Sequence, residues 1–600
     1  MNWQLKQRPA LALTVFLLLV AVSRAESWQI IAREDGPALG VPGQPTAEHF
    51  ILWVPTLNDN GQVAFHSSLS ATSISDLNSA TIWAGAINSP QLVLREGSTA
   101  PGTTEQFEFF EYDPLLNNVG QVLINADLTG NFNQRNGLWV GTPGNLQLLV
   151  RTNTAIAGFS YTIATIHDQS AALSDNGSVA FAGYTSGNLS GVWYGAPGNL
   201  QALALEDSPV PAGSGLPAGV KFQSVASSIE TVAMNSTGKV AFTARLENSS
   251  FTIHGNSIWT GAPGNLKVLV RENAAAPGLP GRNVFLLGSD PVINSSSDVA
   301  FSVKLDDFTD ALYLGKPGDL DLLIKGNDPA PVGSSGVRFA QFGTFSQLRL
   351  SNSGHVGFEG WLEGTSVNGT NNYGLFRATT NGVDMVARLG NQAPGMQSGA
   401  VFESFSDYSI NPVGQMAFMG QTTGGGILPG EGQGIWAQDS TGELQLIARV
   451  GDWANPVSGE IVRMVDATNP MSLERQGYRE IIMLDFRSGF KLLSEYGTAW
   501  NADHQLAFSA TLSGSGSSRV LFLTTVGSVR GDFDGDGDVD GRDFLAWQRV
   551  DKTTAGLATW QASYNNGNLK AFAAAVPEPT ALLLAACGLA LLTQGRHFVR

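Results

Sequence analysis

At 600 residues the chain is several times longer than an ordinary domain, so it holds several domains or one large repeat array. Lys+Arg 34 against Asp+Glu 51 gives a net charge of −17, and no basic stripe interrupts it, which excludes a nucleic-acid binder. Seventy glycines and 27 prolines break the long stretches that a helical bundle needs, while 43% hydrophobic residues exclude general disorder and suit short strands joined by tight turns.

The first 25 residues read as a secretory signal peptide. Lys6 and Arg8 form the charged start, Ala10 to Val22 the apolar stretch, and Ser23-Arg24-Ala25 the small-x-small cleavage site. The apolar stretch is too short to span a bilayer. The single cysteine, Cys587, allows no intrachain disulfide, so an exported chain must be held together by a large core.

The body is a repeat. A phrase of the form apolar-Asn-x-x-Gly-x-Val-Ala-Phe stands at Leu57–Phe65 and again at Met234–Phe242. Complete or degenerate copies close on Phe65, Ile124, Phe181, Phe242, Phe301, Phe358, Phe418 and Phe508, at spacings of 59, 57, 61, 59, 57, 60 and 90. An apolar-Trp phrase follows, as at Trp83, Trp139, Trp193, Trp259 and Trp436, with Tyr313 and Phe376 in two copies. An alternating run then ends on a basic residue: Arg95, Arg151, Arg271, Lys325, Arg388 or Arg449. Pro-Gly turns follow at Pro101, Pro277 and Pro394. A less patterned segment before each Asn-x-x-Gly supplies a fourth strand.

Four antiparallel strands per unit of about 60 residues indicate an all-β, eight-bladed β-propeller, with seven blades as the fallback if the 90-residue step hides a mis-parsed unit. The eighth copy stops at its third strand, Val520-Leu521-Phe522-Leu523. Trp28–Arg33 at the mature N-terminus matches the fourth strand Leu444–Arg449, so the first strand is expected to complete the last blade and remove a sheet edge. The extra residues between Arg449 and Trp500 then form an insertion. The recurring Trp is expected in the inter-blade core, and the recurring Arg against a nearby carboxylate or turn carbonyl. The array, over residues 27 to about 527, resembles the tandem-repeat surface proteins of planctomycete-type bacteria described by an NxxGxxxF repeat; no biochemical activity comes with that resemblance.

After the ring, Asp532, Asp534, Asp536, Asp540 and Asp543 fall at positions 1, 3, 5, 9 and 12 of a calcium loop. Gly537 sits at the sharp turn and Asp538 offers its carbonyl at position 7. So dense a set of carboxylates repels itself unless a hard cation sits among them, and calcium is the expected cofactor. With Asp at position 12 and one helix after it (Phe544–Arg549), the segment resembles half of a type I dockerin. Val550 to Gly556 lacks a second ligand set, which puts a cohesin-like partner in doubt.

The C-terminus reads Val576-Pro577-Glu578-Pro579, then an apolar run from Ala581 to Leu592, then Arg596, His597 and Arg600. This three-part pattern resembles the PEP-CTERM sorting signal of Gram-negative bacteria. The resemblance implies an exosortase-type processing protease as partner, and export to the cell surface, outer membrane or extracellular matrix. Membrane contact is expected through this short helix alone. The expected domains are therefore 1–25 signal peptide, 26–528 propeller, 529–570 dockerin-like segment and 571–600 sorting signal.

Catalytic patterns are absent. The seven histidines (His49, His66, His167, His254, His355, His504 and His597) form no His-x-x-x-His pair, and neither a Gly-x-Ser-x-Gly elbow nor a phosphate loop occurs. The favoured expectation is a non-catalytic binding or structural protein, with extracellular polysaccharide as an open ligand. The alternative is a glycan-active hydrolase or lyase with carboxylates at the mouth of the ring.

Overall fold

The computed structural model describes residues 29–450 apart from 111–112, 131–134, 156–159, 168–169, 226–231, 342, 344 and 428–431; then 453–454, 462–463, 500–513, 517–526, 541–550 and 557. Two compact units divide the chain, Met1–Ser528 and Val529–Arg600.

The first unit is an eight-bladed β-propeller. In blade 1 the innermost strand runs Glu48–Leu52 and resumes as Thr56–Leu57; Gln62–Ser70, Ala80–Ala86 and Gln91–Arg95 follow outward in order. Blades 2 to 7 repeat this antiparallel order. The split of the inner strand is a refinement on the four strands expected: each half pairs with a different half of the second strand. The short inner segments of blades 1 to 6 touch one another in turn, which places them at the centre of the ring, whereas the inner strand of blade 7, Ala400–Ile410, is unbroken.

Closure follows the sequence expectation over Gln29–Arg33, Trp28 lying outside the described residues. Gln29–Arg33 pairs with Ser517–Thr525, with Ile30 opposite Phe522 and Ala32 opposite Leu521, skipping Ile31. Blade 7 has the same bulge, with Leu446 opposite Trp436 and Ala448 opposite Ile435, skipping Ile447. The first strand thus takes the outermost place of blade 8 in the common register. Of the expected insertion after Arg449, the described part is the short pair Trp453–Ala454 and Val462–Arg463.

The apolar core is distributed as eight clusters, each formed where one blade packs on the next. The cluster that closes the ring joins Ile31, Ala32, Leu521 and Leu523 to Leu52, Val63, Phe65 and Trp83. Within every blade the residue closing the repeat phrase faces the third-strand aromatic across the sheet, from Phe65–Trp83 through Ile124–Trp139 to Phe508–Phe522. The recurring tryptophans Trp83, Trp139, Trp193, Trp259 and Trp436 are fully buried, as expected for inter-blade core.

The Pro-Gly phrases find their reason here. Pro101 and Pro394 present their carbonyls to the indole N–H of Trp139 (3.0 Å) and Trp436 (2.9 Å), and Pro277 accepts from the Tyr313 hydroxyl (3.0 Å). Each turn folds over the aromatic of the following blade and satisfies its buried donor. At Gly395 (φ 75°) a Cβ would stand 2.6 Å from the Leu446 Cβ, so both the conformation and the close approach call for glycine.

Candidate functional site

The Asn of Asn-x-x-Gly does more than shape its turn. Asn58 Oδ1 accepts from the backbone N–H of Asn60 (3.1 Å) and Gln62 (2.8 Å), while Nδ2 donates to the carbonyl of Asn117 (2.8 Å), its counterpart in the next blade. Asn117 reaches Ser174 O in the same way (2.9 Å), Asn235 reaches Asn294 O (2.9 Å), Asn294 reaches Ser351 O (3.3 Å) and Asn501 returns to Asn58 O (3.1 Å). Where Ser174 and Ser351 replace the Asn, backbone bonds cross instead, Asp175 N–H to Ser236 O and Ser353 N–H to Pro412 O. Sequence reasoning treated the Asn as a turn residue and missed this stitch. The fourth position alone supplies the left-handed residue, kept even as Ser297 (φ 67°) and His504 (φ 59°), so a recurring Asn at the first position was a signal of a second role.

A second ladder runs beside it. The backbone N–H of Asp59 donates to Asn118 Oδ1 (2.9 Å) and that of Asn118 to Asp175 Oδ1 (2.7 Å), while Asn118 Nδ2 bridges Asp59 Oδ2 (3.1 Å) and Asp175 Oδ2 (3.4 Å). Burial pushes the Asp59 carboxyl above its ordinary value despite these bonds, and Asp175 and Asp503 add to the rise.

The recurring basic residues close turns. Arg95 Nε donates to Asn78 O (2.6 Å), Arg388 Nε to Asn371 O (2.8 Å), and Lys325 pairs with Asp328 (2.9 Å). Arg151 meets Glu105 at 3.2 Å and holds that carboxyl down to about 2. A glutamate after the basic position is a further unforeseen stitch. Glu272 accepts from Asn256 N–H (2.8 Å) in its own blade and Leu287 N–H (3.4 Å) in the next; Glu34 accepts likewise from Arg519 (2.7 Å) and Leu52 (3.3 Å).

The repeat breaks between blades 6 and 7. On the short inner segment, Arg349 lies opposite Gly357, where other blades pair Thr56 with Ala64, Ala172 with Ala180, Ala233 with Ala241 and Val292 with Ala300. A Cβ on Gly357 would stand 3.1 Å from the ring of Tyr408, so the missing methyl makes room for that tyrosine from blade 7. The Arg349 guanidinium lies 5.5 Å over the Tyr408 ring and donates to Leu348 O (3.0 Å), and the Tyr408 hydroxyl donates to Gln347 O. Phe345 (φ 64°) and Gln347 (φ 56°) hold left-handed conformations beside them.

Arg349 and Tyr408 are buried, and the cluster opens outward along the same sheet face, through the half-buried Glu359 and Tyr373 to Trp361, 43% exposed. The Tyr373 hydroxyl bonds the Glu359 carboxylate. Its ring stacks obliquely on Trp361 with centroids 4.9 Å apart and lies 6.3 Å from Phe405. Burial pushes both tyrosine hydroxyls far up, with Glu359 adding to the rise at each, so both remain neutral donors at physiological pH. The set offers hydrogen bonds and aromatic surface without an activated phenolate base.

The proposed calcium ligands Asp532, Asp534, Asp536, Asp538 and Asp540 lie outside the described residues, as do the signal peptide and the sorting signal. The helix Gly541–Val550 starts three residues earlier than expected and carries Asp543 in its first turn. Among the described residues no three His, Cys, Asp or Glu are placed to hold a metal, and no helix is long and apolar enough to cross a membrane.

The chain belongs to a family of unknown function, DUF7453, whose model matches residues 57–518. No curated protein matches it. Among solved structures it is similar to the β-propeller domain of the Trilobed protease from Pyrococcus furiosus, at 9% identity and TM-score 0.34, covering 68% of this chain and 100% of that one. It is also similar to the Dos1 propeller (10% identity, TM-score 0.34, 80% and 96% covered) and to an oligogalacturonate lyase in complex with manganese (12%, 0.32, 68% and 86%).

Proposed function

We propose that this DUF7453 member is an exported, surface- or matrix-associated protein whose ring binds or supports without catalysing. In this reading a dockerin-like segment, using Asp532, Asp534, Asp536, Asp538, Asp540 and Asp543, binds calcium, and a PEP-CTERM-like signal directs sorting by an exosortase-type protease. One observation carries the reading of the ring: the residue types that recur from blade to blade are spent on holding the ring together. Asparagines stitch neighbours, aromatics fill the wedges and arginines close turns. Such a ring is a scaffold, and its chemistry is left to the few positions that depart from the repeat.

The test uses the mature chain on a panel of polysaccharides. No reducing ends or unsaturated products are expected above a heat-inactivated control, and turnover of any member would overturn the non-catalytic reading. Calorimetric titration with calcium is expected to give one site that is lost in Asp532→Ala; no heat at millimolar calcium would remove the calcium proposal.

A further inference from the structure

The rim of the wedge between blades 6 and 7 combines groups that no other wedge combines among the described residues. Trp361 and Glu359 lie two residues apart on one strand and so share a sheet face, and Tyr373 stands directly across from Trp361. Positions equivalent to Glu359 hold His66, Asn125, Ala182, Thr243, Ser302, Met419 and Ser509, none of them a carboxylate. A half-exposed tryptophan, in tilted contact with a cross-strand tyrosine whose hydroxyl is tied to that carboxylate, is an apolar surface with an acceptor beside it.

We propose that Trp361, with Glu359 and Tyr373, forms a subsite for a neutral hexopyranosyl unit of a polysaccharide. A pyranose has one face of C–H groups and a rim of hydroxyl donors. The first would stack on the open face of Trp361, and the second would donate to the Glu359 carboxylate. Charge decides the class. On this face Glu363 lies two residues beyond Trp361 and pairs with Arg338 at 2.8 Å, so the exposed cation is matched by a carboxylate. Glu359 adds a second carboxylate and Arg349 is buried, which leaves the patch net acidic and unsuited to a polyanion. The chain's charge of −17 repels one further. A quaternary ammonium is held best in a cage of several facing rings, and the Trp361 and Tyr373 centroids are 4.9 Å apart, which leaves no gap between them for one.

This inference deepens the binding reading above and rests on it. The experiment is affinity electrophoresis of the mature chain in gels carrying a β-1,3-glucan, a galactomannan, a dextran or alginate, with choline added as a competitor in a parallel set. Wild type is expected to be retarded by at least one neutral polysaccharide and not by alginate. Trp361→Ala should weaken that retardation at least tenfold, Trp361→Phe should keep part of it, and Glu359→Gln should weaken it several-fold. Trp361 is surface-placed, so an unchanged melting temperature in Trp361→Ala separates lost binding from lost fold. Equal retardation of wild type and Trp361→Ala, retardation by alginate alone, displacement by choline, or no retardation by any gel would each overturn the subsite. Turnover of a polysaccharide with retardation still dependent on Trp361 would overturn the non-catalytic reading and keep the subsite.

Discussion

The wedge between blades 4 and 5 and the wedge between blades 6 and 7 are built on the same strands and solve different problems. In the first, Asn235 bridges to Asn294, Ala233 faces Ala241, and Pro277 covers Tyr313 over a cluster of Val284, Phe301 and Leu305. In the second, Ser351 replaces the bridging Asn, Arg349 replaces the small residue, and Tyr408, Glu359 and Tyr373 bring ionisable groups into the wedge, Glu359 standing where blade 4 has Thr243. Burying such groups stabilises less than packing hydrocarbon, and each must find partners to be tolerated. The difference separates what the repeat maintains from what one site alone requires.

Four substitutions would break or sharpen that contrast. Trp259→Ala empties the blade 4 core at a fully buried position and should cost about 4 kcal/mol, against less than about 1 kcal/mol for Trp361→Ala; chemical denaturation measures both. Comparable losses would erase the distinction between scaffold and site. Asn235→Ala removes three accepted bonds and the bonds donated to Asn294 and Ser297 at a fully buried residue, and should cost about 3 kcal/mol. Ser351→Ala, with no side-chain bridge to lose, should cost clearly less.

The remaining prediction concerns charge. Asn118→Asp would place a carboxylate between Asp59 and Asp175 and is expected to cost about 2 kcal/mol at pH 7. The new group's folded pKa would lie above its unfolded value. Its protonated form would be favoured in the folded state, and stability would be lost as pH rises through the folded pKa and regained on acidification. Asp59 itself has the same sign, since burial raises it. Thermal melts of wild type and Asn118→Asp should therefore converge as pH falls toward about 4. A gap that widens on acidification would reverse the assignment.

Much of the ring was legible before any coordinate. The spacing of the closing apolar residues set the number of blades, because each blade must carry its own turn and its own buried aromatic. The likeness of Trp28–Arg33 to Leu444–Arg449 placed the first strand on the last blade, because a strand's alternation and its bulge are local properties of the chain. The stitches were not legible. Whether Asn58 Nδ2 turns to its own loop or to Asn117, 59 residues on, depends on how closely two blades approach, and no local pattern records that distance. The convergence of Arg349, Glu359, Tyr373 and Tyr408 was equally hidden. Three fall on separate strands of blade 6, joined by sheet register, and only packing blade 7 against it brings Tyr408 to them. Periodicity is written along the chain, whereas the contents of a wedge are decided by two surfaces meeting.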